Sequence, residues 1–132
     1  MNQIDAQITK IETHEALTIV TFATQEHQLK MMSLELREDV QETSQVTLRT
    51  KATNIAIAKE LQGMLSYSNQ LKVSIESIDM GRLLCSVKLL FEDAVLESII
   101  TADSAKRMQL KVGENVTALI KSSDLAIAEL LS

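Results

Sequence analysis

A chain of 132 residues that is 45% hydrophobic and 23% charged is too apolar to be disordered and reads as a folded protein. Its net charge of −5 is spread evenly, and its only aromatic residues are Phe22, Tyr67 and Phe91, which excludes the basic stripe and stacking platform of a nucleic-acid binder. No apolar run approaches the ~20 residues of a membrane span, so no membrane partner is expected.

The first predicted element is a strand in which Ile4, Ala6 and Ile8 alternate with polar residues. After "THE" a second strand starts near Leu17 and Ile19, and a third covers Leu29 to Ser33. The segment "VTLRTKATNIAIA", Val46 to Ala58, then reads as a strand followed by a short "IAIA" strand. In "NIAIAKELQGML" the residues Ile57, Leu61, Met64 and Leu65 also fall at helical spacing, so the expectation is a strand and then a helical turn or two ended by Gly63.

The same order then starts again. Ile4 to Phe22 lies over Leu71 to Leu89 at an offset of 67, with Ile8 on Ile75, Ile11 on Ile78, Leu17 on Leu84 and Val20 on Val87. "MGR" at 80–82 places a glycine between two strands, which suits a tight hairpin. A third strand covers Val95 to Ile100. "TADSAKRMQL" reads as a short helix with Asp103 or Ser104 as its cap and Lys106 and Arg107 late in it. Gly113 then allows the turn into the strand Val116 to Lys121, and "LAIA" closes the chain's pattern. "VTALIKSSDLAIA", Val116 to Ala128, repeats Val46 to Ala58 with six of thirteen positions identical, now at an offset of 70. The three extra residues fall in the connection that carries the helix, where insertions are best tolerated. Five strands with a helix between the third and fourth is the order of a small OB-type barrel. The expected fold is therefore mainly β, two tandem OB-like five-stranded barrels with a short helix, the first over 1–62 and the second over 63–132.

At this point the sequence resembles a known family. "SYSNQLKVSIESI", "GRLLCSVKLLF" and "LESIITADSAKRMQLKVGENVTALIKSSDLAIA" are similar to a molbindin, or TOBE, domain. That family's pattern runs Ser-x-Arg-Asn-x-Leu, Ile-Thr-x-x-Ser, Leu-x-Leu-x-x-Gly and Val-x-Ala-x-Ile-Lys-Ala-Ser. The likeness covers residues 66–128 and extends more weakly over 2–58, through "NQI" and "VTLRTKAT". It implies a tandem molbindin that binds molybdate or tungstate for storage, buffering or homeostasis, with anion sites between domains or subunits. The implied site residues are Ser66, Tyr67, Ser68 and Asn69 with Lys121, Ser122 and Ser123 in the second copy. In the first copy they are Asn2 with Lys51, Ala52 and Thr53. Thr101 and Ser104, in the Ile-Thr-x-x-Ser match, are further candidates, with a first-copy counterpart near Ser33. The family's Arg is replaced by Ser68 and falls on Met1 in the first copy, and the Ala of Lys-Ala-Ser is Ser122.

The chemistry suits the implied ligand. Molybdate is a tetrahedral dianion that needs converging donors, and a Lys, hydroxyls and backbone amides within three residues supply them. Elsewhere the residues read as structural. His14 and His27 belong to no Cys/His/carboxylate constellation, so no free metal cation is expected, and both suit loop or edge positions. Cys85, Met31 and Met32 read as core packing, and Glu35, Glu38 and Asp39 as a solvated face. No nucleophile, phosphate loop or paired-acid motif argues for an enzyme. An interaction or regulatory module that has lost the anion is the alternative, and a pterin site is a third reading. Copies this small, with apolar residues on both faces of "LLCSVKLLF", imply a homo-oligomer, a trimer before a dimer. The single cysteine and a start, "MNQIDAQITK", without a basic-then-apolar signal imply a cytoplasmic protein.

Overall fold

The computed structural model describes residues 2–36 and 38–132. The elements follow the chain as β1 (Asn2–His14), β2 (Leu17–Ala23), β3 (Gln28–Ser33), β4 (Gln45–Thr50), β5 (Ala56–Ala58), β6 (Asn69–Met80), β7 (Leu84–Phe91), β8 (Ala94–Thr101), α1 (Ala102–Arg107), β9 (Asn115–Ile120) and β10 (Ala126–Leu130). Two 3₁₀ turns, Ala52–Asn54 and Ser122–Asp124, precede β5 and β10. The fold is mainly β, as two curled OB-like sheets with one short helix among the described residues.

The sheets run β10-β4-β1-β2-β3 and β5-β9-β6-β7-β8. Each therefore takes four strands from one half of the chain and its fifth from the other. Ile57 pairs with Ala118, and Ile127 with Leu48. The connection containing residues 62 and 63 lies between β5 and β6, so a cut there leaves neither sheet complete. Ile55 and Leu125, just before the exchanged strands, are buried with Phe22, Leu48, Leu71, Ile75, Leu89 and Phe91 in one core. Alternation explains which residues enter it: along β1 and β6 every second side chain is buried as far as Ile8 and Ile75.

At those two isoleucines each strand bulges. The register slips between Ile8 and Lys10, and at the matching place between Ile75 and Ser77. The bulge turns the isoleucine peptide away from the hairpin and toward the turn that leads into the fourth strand. Ile8 donates to Ser44 O and accepts from Thr43 N, both at 2.9 Å. Ile75 donates to Glu114 O at 2.9 Å and accepts from Gly113 N at 2.8 Å.

Three local expectations are corrected. No helix follows β5, because Glu60 sits at φ 56 and Gly63 at φ 90, and Met64 and Leu65 are exposed, so burial does not reward an amphipathic turn. Helix α1 is capped by Thr101 instead of Asp103 or Ser104: the Thr101 hydroxyl accepts from Ser104 N at 3.1 Å. Met32 is 45% exposed and fills no core gap, unlike Met31 at 4%. Gly81 does serve the β6–β7 hairpin, through close approach: a Cβ there would stand 2.7 Å from the Leu84 carbonyl oxygen. Among the described residues no helix is long and apolar enough to cross a membrane.

Candidate functional site

Strands β6 and β9 are antiparallel partners, with Asn69 opposite Ile120. The residues just before Asn69 and just after Ile120 are therefore forced side by side. They enclose a cavity of about 210 Å³ lined by Ser66, Tyr67, Ser68, Lys121, Ser122 and Ser123, and by Met32 from β3. Six of these seven are residues that the sequence singles out, drawn from two segments fifty residues apart.

The local backbone explains why this corner is rich in donors. Lys121 is extended (φ −66°, ψ 146°), and the chain then tightens into a 3₁₀ turn in which Asp124 N donates to Lys121 O at 2.9 Å. No side chain caps that turn, so its opening amides are not taken by a neighbouring residue. Among the described residues the hydroxyls of Ser66, Ser68, Ser122 and Ser123 and the Lys121 ammonium have no hydrogen-bond or ion-pair partner. Among the described residues no carboxylate lines the cavity. Uncommitted donors, one cation and no competing anion make a place for a small oxyanion.

The first half repeats the frame. Asn2 stands opposite Thr50, Lys51 is extended (φ −76°, ψ 146°), and Asn54 N donates to Lys51 O at 2.9 Å. Lys51 and Thr53 are exposed and Ala52 half-buried, on a turn that packs against β8. Met1, where the family's Arg falls in this copy, lies outside the described residues.

The remaining candidates have other work. The Asn69 amide is fully buried, donating to Lys30 O at 2.9 Å and accepting from Lys30 N at 2.7 Å. Asn2 does the same in reverse, donating to Glu97 O at 2.8 Å and accepting from Glu97 N at 2.7 Å. Both side chains are committed to clamping one half onto the other and are not offered to a ligand. Thr101 and Ser104 form the α1 cap, their hydroxyls 2.9 Å apart with Arg107 donating to Ser104 at 3.1 Å. They do not line the Lys121 cavity. Register also fixes their counterpart: Thr18 pairs with Ser33 where Cys85 pairs with Ile100, so Ser33 matches Ile100 and Leu34 matches Thr101.

Sequence reasoning missed Met32, which enters from the other half. Only the register of β3 against β2, with the Asn69 clamp two residues away, brings it there. His27, expected at a loop or edge position, lies half-buried in the turn between β2 and β3. Its Nδ1 is 2.7 Å from Glu92 Oε2, and its Nε2 accepts from Lys72 N at 3.1 Å. Burial alone would push the Glu92 carboxyl up, but hydrogen bonds from Thr24, His27 and the amides of Glu26 and Gln25 outweigh it and hold it below its ordinary value. A larger open cavity, about 700 Å³, lies between Lys59, Glu60, Ser104 and Arg107. It suits an anion less well, because Lys59 is paired with Glu114 at 2.8 Å and Glu60 adds a carboxylate. Among the described residues no group of three or more His, Cys, Asp or Glu could hold a metal ion.

Comparison with known families agrees with this geometry. Residues 65–127 match the family described as the TOBE domain. The matched segment makes up most of the second half of the chain. It contains β6 to β9 and every lining residue of the cavity except Met32. The whole chain is also similar in fold to a cytoplasmic molybdate-binding protein, ModG, solved with molybdate bound. That likeness has a TM-score of 0.89 at 19% identity and covers 96% of this chain and 94% of the other. No curated protein matches the sequence.

Proposed function

We propose that this TOBE-containing protein reversibly binds molybdate or tungstate in the cavity between Ser66–Ser68 and Lys121–Ser123, as a cytoplasmic store or buffer of the oxyanion. The observation that carries the reading is a cavity of about 210 Å³ lined by four serines with free hydroxyls and by the free Lys121 ammonium, with no carboxylate among the described lining residues. The likeness to a protein solved with molybdate bound supports it. Lys51, Ala52 and Thr53 would form the matching site of the first half. No covalent step is involved. Titration calorimetry with molybdate, tungstate and sulfate tests the proposal. Saturable heat with either metal oxyanion, and weaker binding of sulfate, is the expected result. No heat and no thermal shift at millimolar anion would reject it.

One observation favours a second reading, an interaction module without a ligand. Ser68 in place of the family's Arg leaves Lys121 as the single cation among the described lining residues, against a dianion.

The proposed assembly is a homo-oligomer, a trimer first and a dimer second. Leu84, Leu90 and Val95 are exposed on the β7–β8 ladder and Leu83 just before it, and Leu90 and Val95 are direct cross-strand partners. Such apolar surface marks an interface more often than a solvated face. A monomer of 14.6 kDa by light scattering at micromolar concentration would reject it.

A further inference from the structure

The candidate oxyanion cavity has one wall of a different chemical kind. Six of its lining residues come from the second half, and every one carries a hydroxyl or an ammonium. The seventh, Met32, comes from β3 of the first half and carries a thioether, which donates nothing and accepts weakly. We propose that Met32 is the specificity-determining residue of this site, an apolar wall that selects large tetrahedral oxyanions over sulfate. The inference rests on the oxyanion reading above.

Met32 is held in place. Lys30 and Met32 are two residues apart on one strand and so project from the same face. Both backbone groups of Lys30 are bonded to the Asn69 amide, at 2.7 and 2.9 Å, and Asn69 directly follows Ser68 of the cavity. The wall is thus tied by one buried side chain to the segment that supplies the donors. Met32 is 45% exposed and faces the cavity instead of the core. The hydroxyl at the end of β3, that of Ser33, does not take its place: it donates to Glu35 O and does not line the cavity.

An oxygen of a bound dianion turned toward Met32 gives up water and gains no hydrogen bond. That loss is greatest for the anion of highest charge density. Sulfate is smaller than molybdate or tungstate at the same charge, so its desolvation costs more. The donors of the second half therefore supply attraction, and Met32 of the first half supplies discrimination.

The test is calorimetric titration of the full chain and of Met32→Thr and Met32→Leu with molybdate, tungstate and sulfate. Met32→Thr supplies a hydroxyl to the wall and should raise sulfate affinity relative to molybdate about tenfold, the worth of one hydrogen bond to a charged group. Met32→Leu keeps an apolar wall and should preserve the native ratio. An unchanged ratio in Met32→Thr, or a collapsed ratio in Met32→Leu, would overturn the inference while leaving the site intact. A native protein that binds the metal oxyanions and sulfate equally would overturn it as well. A native protein that binds none of the three rejects the site itself. Circular dichroism reports whether Met32→Thr folds, and Met32→Ser, for which the same tenfold rise is expected, takes its place if it does not.

Discussion

The two halves of the molecule share a frame and differ in what they attach to it. Both bulge at the same isoleucine, both open their first strand with a buried asparagine that grips the other half, and both follow the fourth strand with an extended lysine and a 3₁₀ turn. The second half adds α1, a ring of free serines and an exposed apolar ladder. The first half has a shorter connection between β3 and β4, and carries Ala16, Ala23 and Gln28 where the second half has Leu83, Leu90 and Val95, although Leu17 matches Leu84. What is common is what exchange of the fifth strands requires. What differs lies at the surface, in groups that can meet a ligand or another chain.

The sharpest way to break this comparison is to cut one clamp at a time. Asn69→Ala leaves the N–H and C=O of Lys30 without partners beside a fully buried position. It should lower stability by about 3 kcal/mol, since each stranded buried group costs about 1–3 kcal/mol. Asn2→Ala should cost a similar amount, because Asn2 is 6% exposed and makes the same pair of bonds to Glu97. Urea unfolding measures both. Oxyanion affinity separates them: only Asn69 stands next to the cavity and positions Met32, so only Asn69→Ala should weaken binding. Equal effects on binding would mean that the halves act as one unit at the site.

Much of this frame was legible before the structure. Alternation gave the strands, since Ile4, Ala6 and Ile8 have to face one side and are buried there. The family resemblance implied six of the seven cavity residues, and the antiparallel pairing of β6 with β9 brings their two segments together. The exchange of β5 and β10 was not legible for a specific reason. Ala56-Ile57-Ala58 and Ala126-Ile127-Ala128 are identical, so neither carries a preference for its own sheet. The choice is made by the preceding turns, which pack on β8 and β3 of the opposite half. The helical spacing after β5 misled because Ile57 lies in a strand and Met64 is wholly exposed, so those residues never share a face. Met32 was hidden because a partner across the half boundary leaves no trace in local spacing.

A second contrast is between the two lysines. Lys121→Ala removes the cation of a formed cavity and should reduce molybdate affinity by roughly 1.5–3 kcal/mol, about ten- to a hundred-fold. Lys51→Ala should do less, since Lys51 does not line that cavity and lies outside the segment that matches the TOBE domain. Calorimetry on the two variants checks the ranking, and a larger loss at Lys51 would move the principal site to the first half.

The hairpin tips sharpen the comparison through pH. Glu92 of the second half receives Thr24, His27 and two amides of the first, whereas its counterpart by position, Gln25, returns one bond to Asp93 at 3.1 Å. The folded carboxyl is held below its ordinary value of about 4.5. Its contribution is therefore complete above that value and is lost as pH falls through the folded pKa. Glu92→Gln should cost about 1.5 kcal/mol at neutral pH, the worth of a hydrogen bond to a charged group. It should also flatten the decline in stability below about pH 4.5, as read by thermal melts from pH 7 to 3. A native-like acid decline in the variant would assign that loss to other carboxylates.

The smallest expected effect concerns the turn that the bulge engages. Gly113 lies at φ 87 and Thr43, at the same place in the first half, at φ 76. Both amides donate to the bulged isoleucine carbonyl, so the geometry is imposed by the sheet in each case. Glycine accepts it without penalty, but a β-branched residue there is strained by about 1–3 kcal/mol. Replacing Thr43 by glycine relieves the strain and adds about 0.5–1 kcal/mol of unfolded-chain entropy to be lost on folding. Thr43→Gly should therefore stabilise the protein by about 1 kcal/mol, and Gly113→Ala should destabilise it by about the same amount. Paired urea melts give both numbers. A loss of stability in Thr43→Gly would show that the threonine side chain contributes more than its backbone strain takes away, and that the two turns are not equivalent after all.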